Sequence, residues 1–242
     1  MEKIMTYETL RRFAYSNDKL IKGDIKGIVI EFRGLNNTTV NNTDPADSLE
    51  YAELGIIHVI PYNNPWCWMN EQAVSYTDEV IEVLCEHYRL GEDVKIVSTG
   101  NSMGGLNCLT YCAYAAITPV VCVANCPVCD LPYHFTERED LPRTLYSAFA
   151  NFDGTMEQAL RSRSPLHLTE QGSMPKIPYY IFHCGGDAAV NIDKHSGNLV
   201  EAMQKGGYDV TFTRVPLRNH CNLSPAAWMA YREAILGAFG AV

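Results

Sequence analysis

No stretch of this sequence comes near the roughly 18 consecutive apolar residues that a membrane-spanning helix requires, so no membrane partner is expected. The amino-terminal segment MEKIMTYETLRRFAYSNDKL mixes charged and polar residues without the apolar stretch of a secretory leader. A cytoplasmic location is the expectation. Positive charge is scarce as well: 19 Lys and Arg stand against 28 Asp and Glu, a formal net charge of −9. A nucleic-acid binder needs a cationic face to displace counterions from phosphate, and that class is set aside. Neither G-x-x-x-x-G-K-[ST] nor G-x-G-x-x-G occurs, which removes the common nucleotide-phosphate cradles. Nine cysteines, odd in number and irregular in spacing, suit buried small hydrophobes in a reducing compartment and not a disulfide framework. The sequons at Asn36, Asn37, Asn41 and Asn222 would carry weight only in a secreted chain.

What the chain does have is 47% hydrophobic and 19% charged residues, the composition of a globular domain. One domain over 1–242 is expected, large enough to hold a core without metal or disulfides. Six short apolar runs rich in β-branched residues read as strands buried on both faces: 27–32, 55–61, 94–99, 119–124, 178–183 and 209–215. Helical spacing separates them. Val74, Ile81, Leu84 and Tyr88 share one face, as do Leu106, Leu109, Ala113 and Ala116, and a further helix is expected over 193–205. Ser224-Pro225 opens a last helix carrying Trp228, Tyr231, Ile235 and Phe239. Strands alternating with helices define an α/β fold with a mostly parallel central sheet and helices on both faces. Between the fourth and fifth of these strands, 126–175 has charges, prolines and helical fragments but no strand pattern, and reads as an insertion over the sheet, a candidate lid.

Gly100-x-Ser102-x-Gly104 has the nucleophile-elbow pattern, and it lies where an apolar strand run gives way to a helical pattern, the junction at which such a turn lifts a hydroxyl above a sheet. A serine is a poor nucleophile until a base takes its proton, and the base needs a carboxylate to fix its tautomer. Asp187, in the glycine-bearing loop after the fifth run, and His220, between the sixth run and the final helix, are the acid and base candidates. The order Ser102, Asp187, His220 is that of α/β-hydrolase triads. Asp193 competes as the acid, although its place at a helix start suits a cap. His58 and His183 fall within strands as hydrogen-bonded core residues, while His87, His134, His167 and His195 read as solvated or structural. Donors for a developing oxyanion are expected from the N–H of Met103, next to the nucleophile, and of Leu35, which Gly34 turns toward the pocket.

With these residues in place, the chain resembles the α/β-hydrolase superfamily and, more narrowly, the catalytic domain of prolyl-oligopeptidase-like (S9-type) serine hydrolases and small carboxylesterases. GNSMGG looks like that family's elbow, and Ser164-Pro165, IPYYIFHCGGDAAV, Gly206-Gly207 and His220 look like its carboxyl-terminal layout. The resemblance implies cofactor-free, metal-free hydrolysis of a small ester or short peptide. Two features depart from the pattern: EFRGLN replaces the usual H-G-G after the first strand, and a domain without an amino-terminal propeller is the expectation. An isolated catalytic domain suits an esterase better than an oligopeptidase, and an alkoxide leaves more readily than an amine. The expected activity is therefore ester cleavage through an acyl-enzyme, rising with pH through about 6 to 7 as the histidine loses its proton. The rivals are an S9-like peptidase acting on short peptides and a catalytically silent hydrolase-like binding scaffold.

Other signals are weaker. Cys126 and Cys129 form a C-x-x-C without a second pair or a thioredoxin context, and Cys184 and Cys221 flank the acid and base loops, where inert packing is expected. Asn36, Trp66 and Trp68 are candidates to line a substrate pocket, with tryptophans packing the following helix as the competing reading for the latter two.

Overall fold

Side chains on successive strand residues point to opposite faces of a sheet, so an apolar run without alternation must be covered on both sides. The computed structural model, which describes residues 4–91 and 93–241, shows that division. The ends of the 1–242 domain range, and the first three residues of the amino-terminal segment, lie outside the described residues. In β2 (Gly27–Phe32), Ile28, Ile30 and Phe32 enter one core while Val29 enters the other. The same split recurs in β3 (Ile56–Pro61), β4 (Ile96–Asn101), β5 (Val121–Asn125) and β6 (Tyr179–Cys184). The larger core is closed by α2 (Glu71–Tyr88), α3 (Met103–Tyr114) and α8 (Asn198–Lys205), the smaller by α1 (Ala46–Glu53) and α9 (Pro225–Gly237).

The sheet has seven strands in the order β1-β3-β2-β4-β5-β6-β7. All neighbours are parallel except β1 (Ala14–Ser16), which runs antiparallel to β3 with Tyr15 opposite Ile60. The opposite edge is β7 (Val210–Val215), which carries polar and exposed positions. Segment 126–175 contains α4 (Leu131–Glu137), α5 (Leu141–Ala148), α6 (Met156–Ser162) and α7 (Pro165–Glu170), and it is strandless, as the sequence pattern indicates. Leu131, Leu141, Leu145, Leu160 and Leu168 bury in the larger core, so these helices pack onto the sheet layer. Among the described residues no helix is long and apolar enough to cross a membrane.

Three details differ from the sequence reading. β4 and β5 begin two residues later than expected, because their register is set by pairing: Gly100 lies opposite Phe32 and Asn101 opposite Asn125. The helix expected over 193–205 opens with a π-helical turn, Asp193–Gly197, before α8. Asp193 does not cap it; Asn191 Oδ1 accepts from the N–H groups of Asp193 and Lys194, and Asp193 pairs instead with Arg214 at 3.2 Å.

Candidate active site

In a sheet of parallel strands the carboxyl ends lie along one rim, and loops leaving β2, β4, β6 and β7 meet there. Ser102 is the first residue beyond β4 and stands at φ 60°, ψ −122°, a conformation that costs a non-glycine residue about 1–3 kcal/mol. The turn is held by backbone bonds: the Ser102 N–H donates to Asn125 O at 3.0 Å, and Leu106 N–H donates to Ser102 O at 3.1 Å. Glycine is required around it. A Cβ on Gly104 would lie 2.1 Å from the Phe32 carbonyl oxygen, and one on Gly100 would lie 2.3 Å from that of Gly104. These absent side chains let the start of α3 rest directly on the ends of β2 and β4, presenting the Ser102 hydroxyl beside the loop that leaves β2. Among the described residues, that hydroxyl makes no hydrogen bond.

Asp187 follows β6. Its side chain is fully buried and its Oδ1 accepts from the N–H groups of Ala189 and Val190 at 2.9 and 3.0 Å. Oδ2 accepts from His220 Nδ1 at 2.6 Å and lies 3.3 Å from His183 Nε2. Burial opposes ionisation of this carboxyl, but the bonds from His183, His220 and Val190 outweigh it and hold its pKa far below the usual carboxylate range. His220 responds in the opposite direction. Burial alone would lower its pKa, yet the Asp187 carboxylate, with the Cys126 thiol beside it, raises it from 6.5 to about 9.

The loops bearing Asp187 and His220 are laced together. Gly185 N–H donates to Val215 O, Gly186 N–H donates to Arg218 O, and the Arg218 guanidinium closes its own loop on Asn222 and Leu223. Asn125 then links this loop to the serine turn: its carbonyl takes the Ser102 N–H while its side-chain amide donates to Cys221 O at 3.2 Å. The structure therefore joins Asp187 to His220 directly and carries the Ser102 turn to the next loop through one residue. It does not join Ser102 Oγ to His220 by a hydrogen bond. The imidazole Nε2 instead lies 3.4 Å from Cys221 Sγ.

The N–H groups of Met103 and Leu35 meet no acceptor among the described residues. A Cβ on Gly34 would sit 3.7 Å from Ser102 Cβ, so the loop bearing Leu35 runs alongside the Ser102 turn. Next to this loop lies a cavity of about 220 Å³ that includes Arg33, Gly34, Asn63, Asn64, Met103 and Asn107 in its wall. Phe32, Val40, Pro61 and Pro65 supply apolar wall beside these polar groups. Arg33 is already committed to Asn37, Thr39 and Asn41, whereas the buried Asn107 Oδ1 has no partner among the described residues. Asn36 accepts from the Trp66 indole, and both adjoin cavity residues in sequence without lining it. Trp68 is a correction to the pocket reading: it is only 1% exposed and its indole donates to Thr144 at 3.0 Å, fastening α5 to the body.

Two partners were missed by local reading. His183 is a buried strand residue, as its sequence suggests, but it also touches Asp187 four residues later; Ser196 Oγ lies 2.7 Å from its Nδ1 and orients the ring. Glu137 Oε2 accepts from His134 at 2.6 Å and His195 at 2.9 Å, tying the insertion to the helix after the acid loop. The C-x-x-C pair is no pair: Cys126 belongs to the smaller core and Cys129 to the larger.

The chain has the α/β-hydrolase fold, with a strained serine turn and a carboxylate–imidazole pair along the carboxyl rim of its sheet. Similar solved structures include a puromycin-hydrolysing peptidase of Mycobacterium tuberculosis (TM-score 0.70, 16% identity, 90% of this chain and 34% of that one). Others are an S-formylglutathione hydrolase of Agrobacterium tumefaciens (0.68, 17%, 94% and 88%) and esterase B of Lactobacillus rhamnosis (0.69, 13%, 91% and 78%). The chain spans about a third of the length of the peptidases it matches first. No family model and no curated protein matches the sequence.

Proposed function

We propose that the protein is a serine hydrolase that cleaves carboxylic esters through an acyl-enzyme. His220 takes the proton of Ser102, whose oxygen attacks the ester carbonyl; the N–H groups of Met103 and Leu35 hold the oxyanion, and the alkoxide leaves with the proton from His220. Water, deprotonated by the same imidazole, then releases the acid and restores the serine. Asp187 stays ionised and keeps the Nδ1–H of His220 in place. The observation that carries this reading is the 2.6 Å Asp187–His220 contact on a loop bonded through Asn125 to the Ser102 turn. Reorientation of Nε2 from Cys221 toward Ser102 completes the relay, since catalytic hydrogen bonds are often loose before substrate arrives.

The small volume of the cavity, about 220 Å³, favours short ester groups over long alkyl chains. An esterase is among the similar structures, which supports an ester substrate. Turnover of p-nitrophenyl acetate should exceed that of alanyl or prolyl p-nitroanilides, with Ser102 labelled by a fluorophosphonate. Preference for anilides would make the protein a peptidase, and an unlabelled serine in folded protein would make it a binding scaffold.

The rate should depend on pH at a higher range than an unperturbed histidine implies. Only the neutral imidazole accepts the serine proton, so activity should rise with pH, reaching half its maximum near 9, the raised value of His220, and its plateau above that. The groups facing this ring are Asp187, Cys126 and Cys221. A kcat/KM profile of the free enzyme that levels off by pH 7 would show that Asp187 does not hold the proton on His220.

A further inference from the structure

On the side of His220 facing away from Asp187, the chain gathers a second set of donors. Nε2 of His220, Sγ of Cys221 and Sγ of Cys126 all lie within 4.8 Å of one another. Cys126 is buried at the end of β5, whereas Cys221 and His220 are half-exposed, so a solute has access from the loop side. All nine cysteines are free. We infer that Cys126, Cys221 and His220 form a binding site for a thiophilic divalent cation, Zn²⁺, whose occupancy switches the hydrolase off by capturing the lone pair its base requires.

Three observations carry this beyond the mere proximity of thiols. First, the spacing fits: Zn–S and Zn–N bonds of ordinary length at a tetrahedral centre put sulfur and nitrogen about 3.5 Å apart, and Nε2 and Cys221 Sγ stand at 3.4 Å. Second, Cys126 Sγ already accepts two backbone N–H groups, from Cys184 and Cys221, each at 3.3 Å, so a thiolate formed there has its donors aimed in advance. Third, Asp187 binds Nδ1–H, the outer carboxylate partner that fixes a metal-bound imidazole in its tautomer and raises its donor strength. The ligand set, two sulfurs and one nitrogen, suits zinc over harder cations such as Mg²⁺ or Ca²⁺.

Binding balances as Zn²⁺ displacing one proton from each thiol, both released to solvent, with the neutral imidazole supplying its lone pair and water filling the fourth position. No oxidant is involved. With Nε2 bound to the metal, the imidazole cannot take a proton from Ser102, so inhibition follows from occupancy alone.

The test uses metal-free protein kept in a phosphine reductant. Zn²⁺ should reduce p-nitrophenyl acetate turnover at least tenfold and EDTA should restore it, while Cys221→Ala should need roughly a hundredfold more Zn²⁺ or beyond. Co²⁺ serves as a probe independent of hydrolysis. It should give a thiolate-to-metal charge-transfer band in the wild type and in Ser102→Ala, and none in Cys221→Ala or, as a second variant for a buried position, Cys126→Ser. Absence of the band in folded wild-type protein would overturn the site, as would undiminished Zn²⁺ inhibition in Cys221→Ala. A Co²⁺ band in a protein without esterase activity would uphold the metal site and refute the esterase reading separately.

Discussion

Replacing Ser102 by alanine is expected to lower turnover by about 10⁶-fold while leaving the fold intact, because the nucleophile and base act as one unit and loss of either removes the covalent route. The structural cost should be small. The hydroxyl makes no hydrogen bond among the described residues, the side chain is half-exposed, and alanine keeps the same Cβ at the same strained φ of 60°. Stability should therefore change by no more than roughly 0.5 kcal/mol. Residual catalysis of about 10³ to 10⁴ over water should persist, supplied by the N–H groups of Leu35 and Met103 and by positioning. Single-turnover assays with p-nitrophenyl acetate should also lose the burst that marks acyl-enzyme formation. A folded variant with near-normal turnover would remove Ser102 from the mechanism and leave Cys221, the thiol nearest the imidazole, as the group to examine.

The strands most visible in the sequence were those the sheet buries on both faces. GIVIEF and GIIHVIP had to be covered on two sides, and the structure places their alternate residues in two cores. Elements that depend on distant partners were not visible. β1 has three residues, no pattern of its own, and exists because Tyr15 finds Ile60 on β3. α1 went unread between a loop rich in Asn and Thr and the second strand run, since Tyr51 acquires its buried side only when the smaller core forms. The serine turn was legible because strand end, glycines and helix start are contiguous in the chain. The cluster of Cys126 with Cys221 and His220 was not, because the donors come from loops following different strands and the nearer C-x-x-C spacing pointed to the wrong partner.

Asp187→Asn is the companion prediction, with an expected loss of about 10⁴-fold in kcat. The reason is a forced change of tautomer. The amide oxygen can still accept from Ala189 and Val190, as Oδ1 does now, which turns the NH₂ group toward His183 Nε2 and His220 Nδ1. His220 must then accept at Nδ1 and carry its proton on Nε2, where it can no longer deprotonate Ser102. Two pH readouts separate this from simple misfolding. In the wild type, His220 is raised from 6.5 to about 9, so the pair contributes stability that is full below 6.5 and is lost as pH rises through 9. Without the carboxylate that slope should flatten, and the residual activity should reach its plateau at a lower pH. A loss of tenfold or less, with the alkaline slope retained, would assign the orienting charge to another carboxylate; Asp193, engaged with Arg214, would have to leave that pair to supply it.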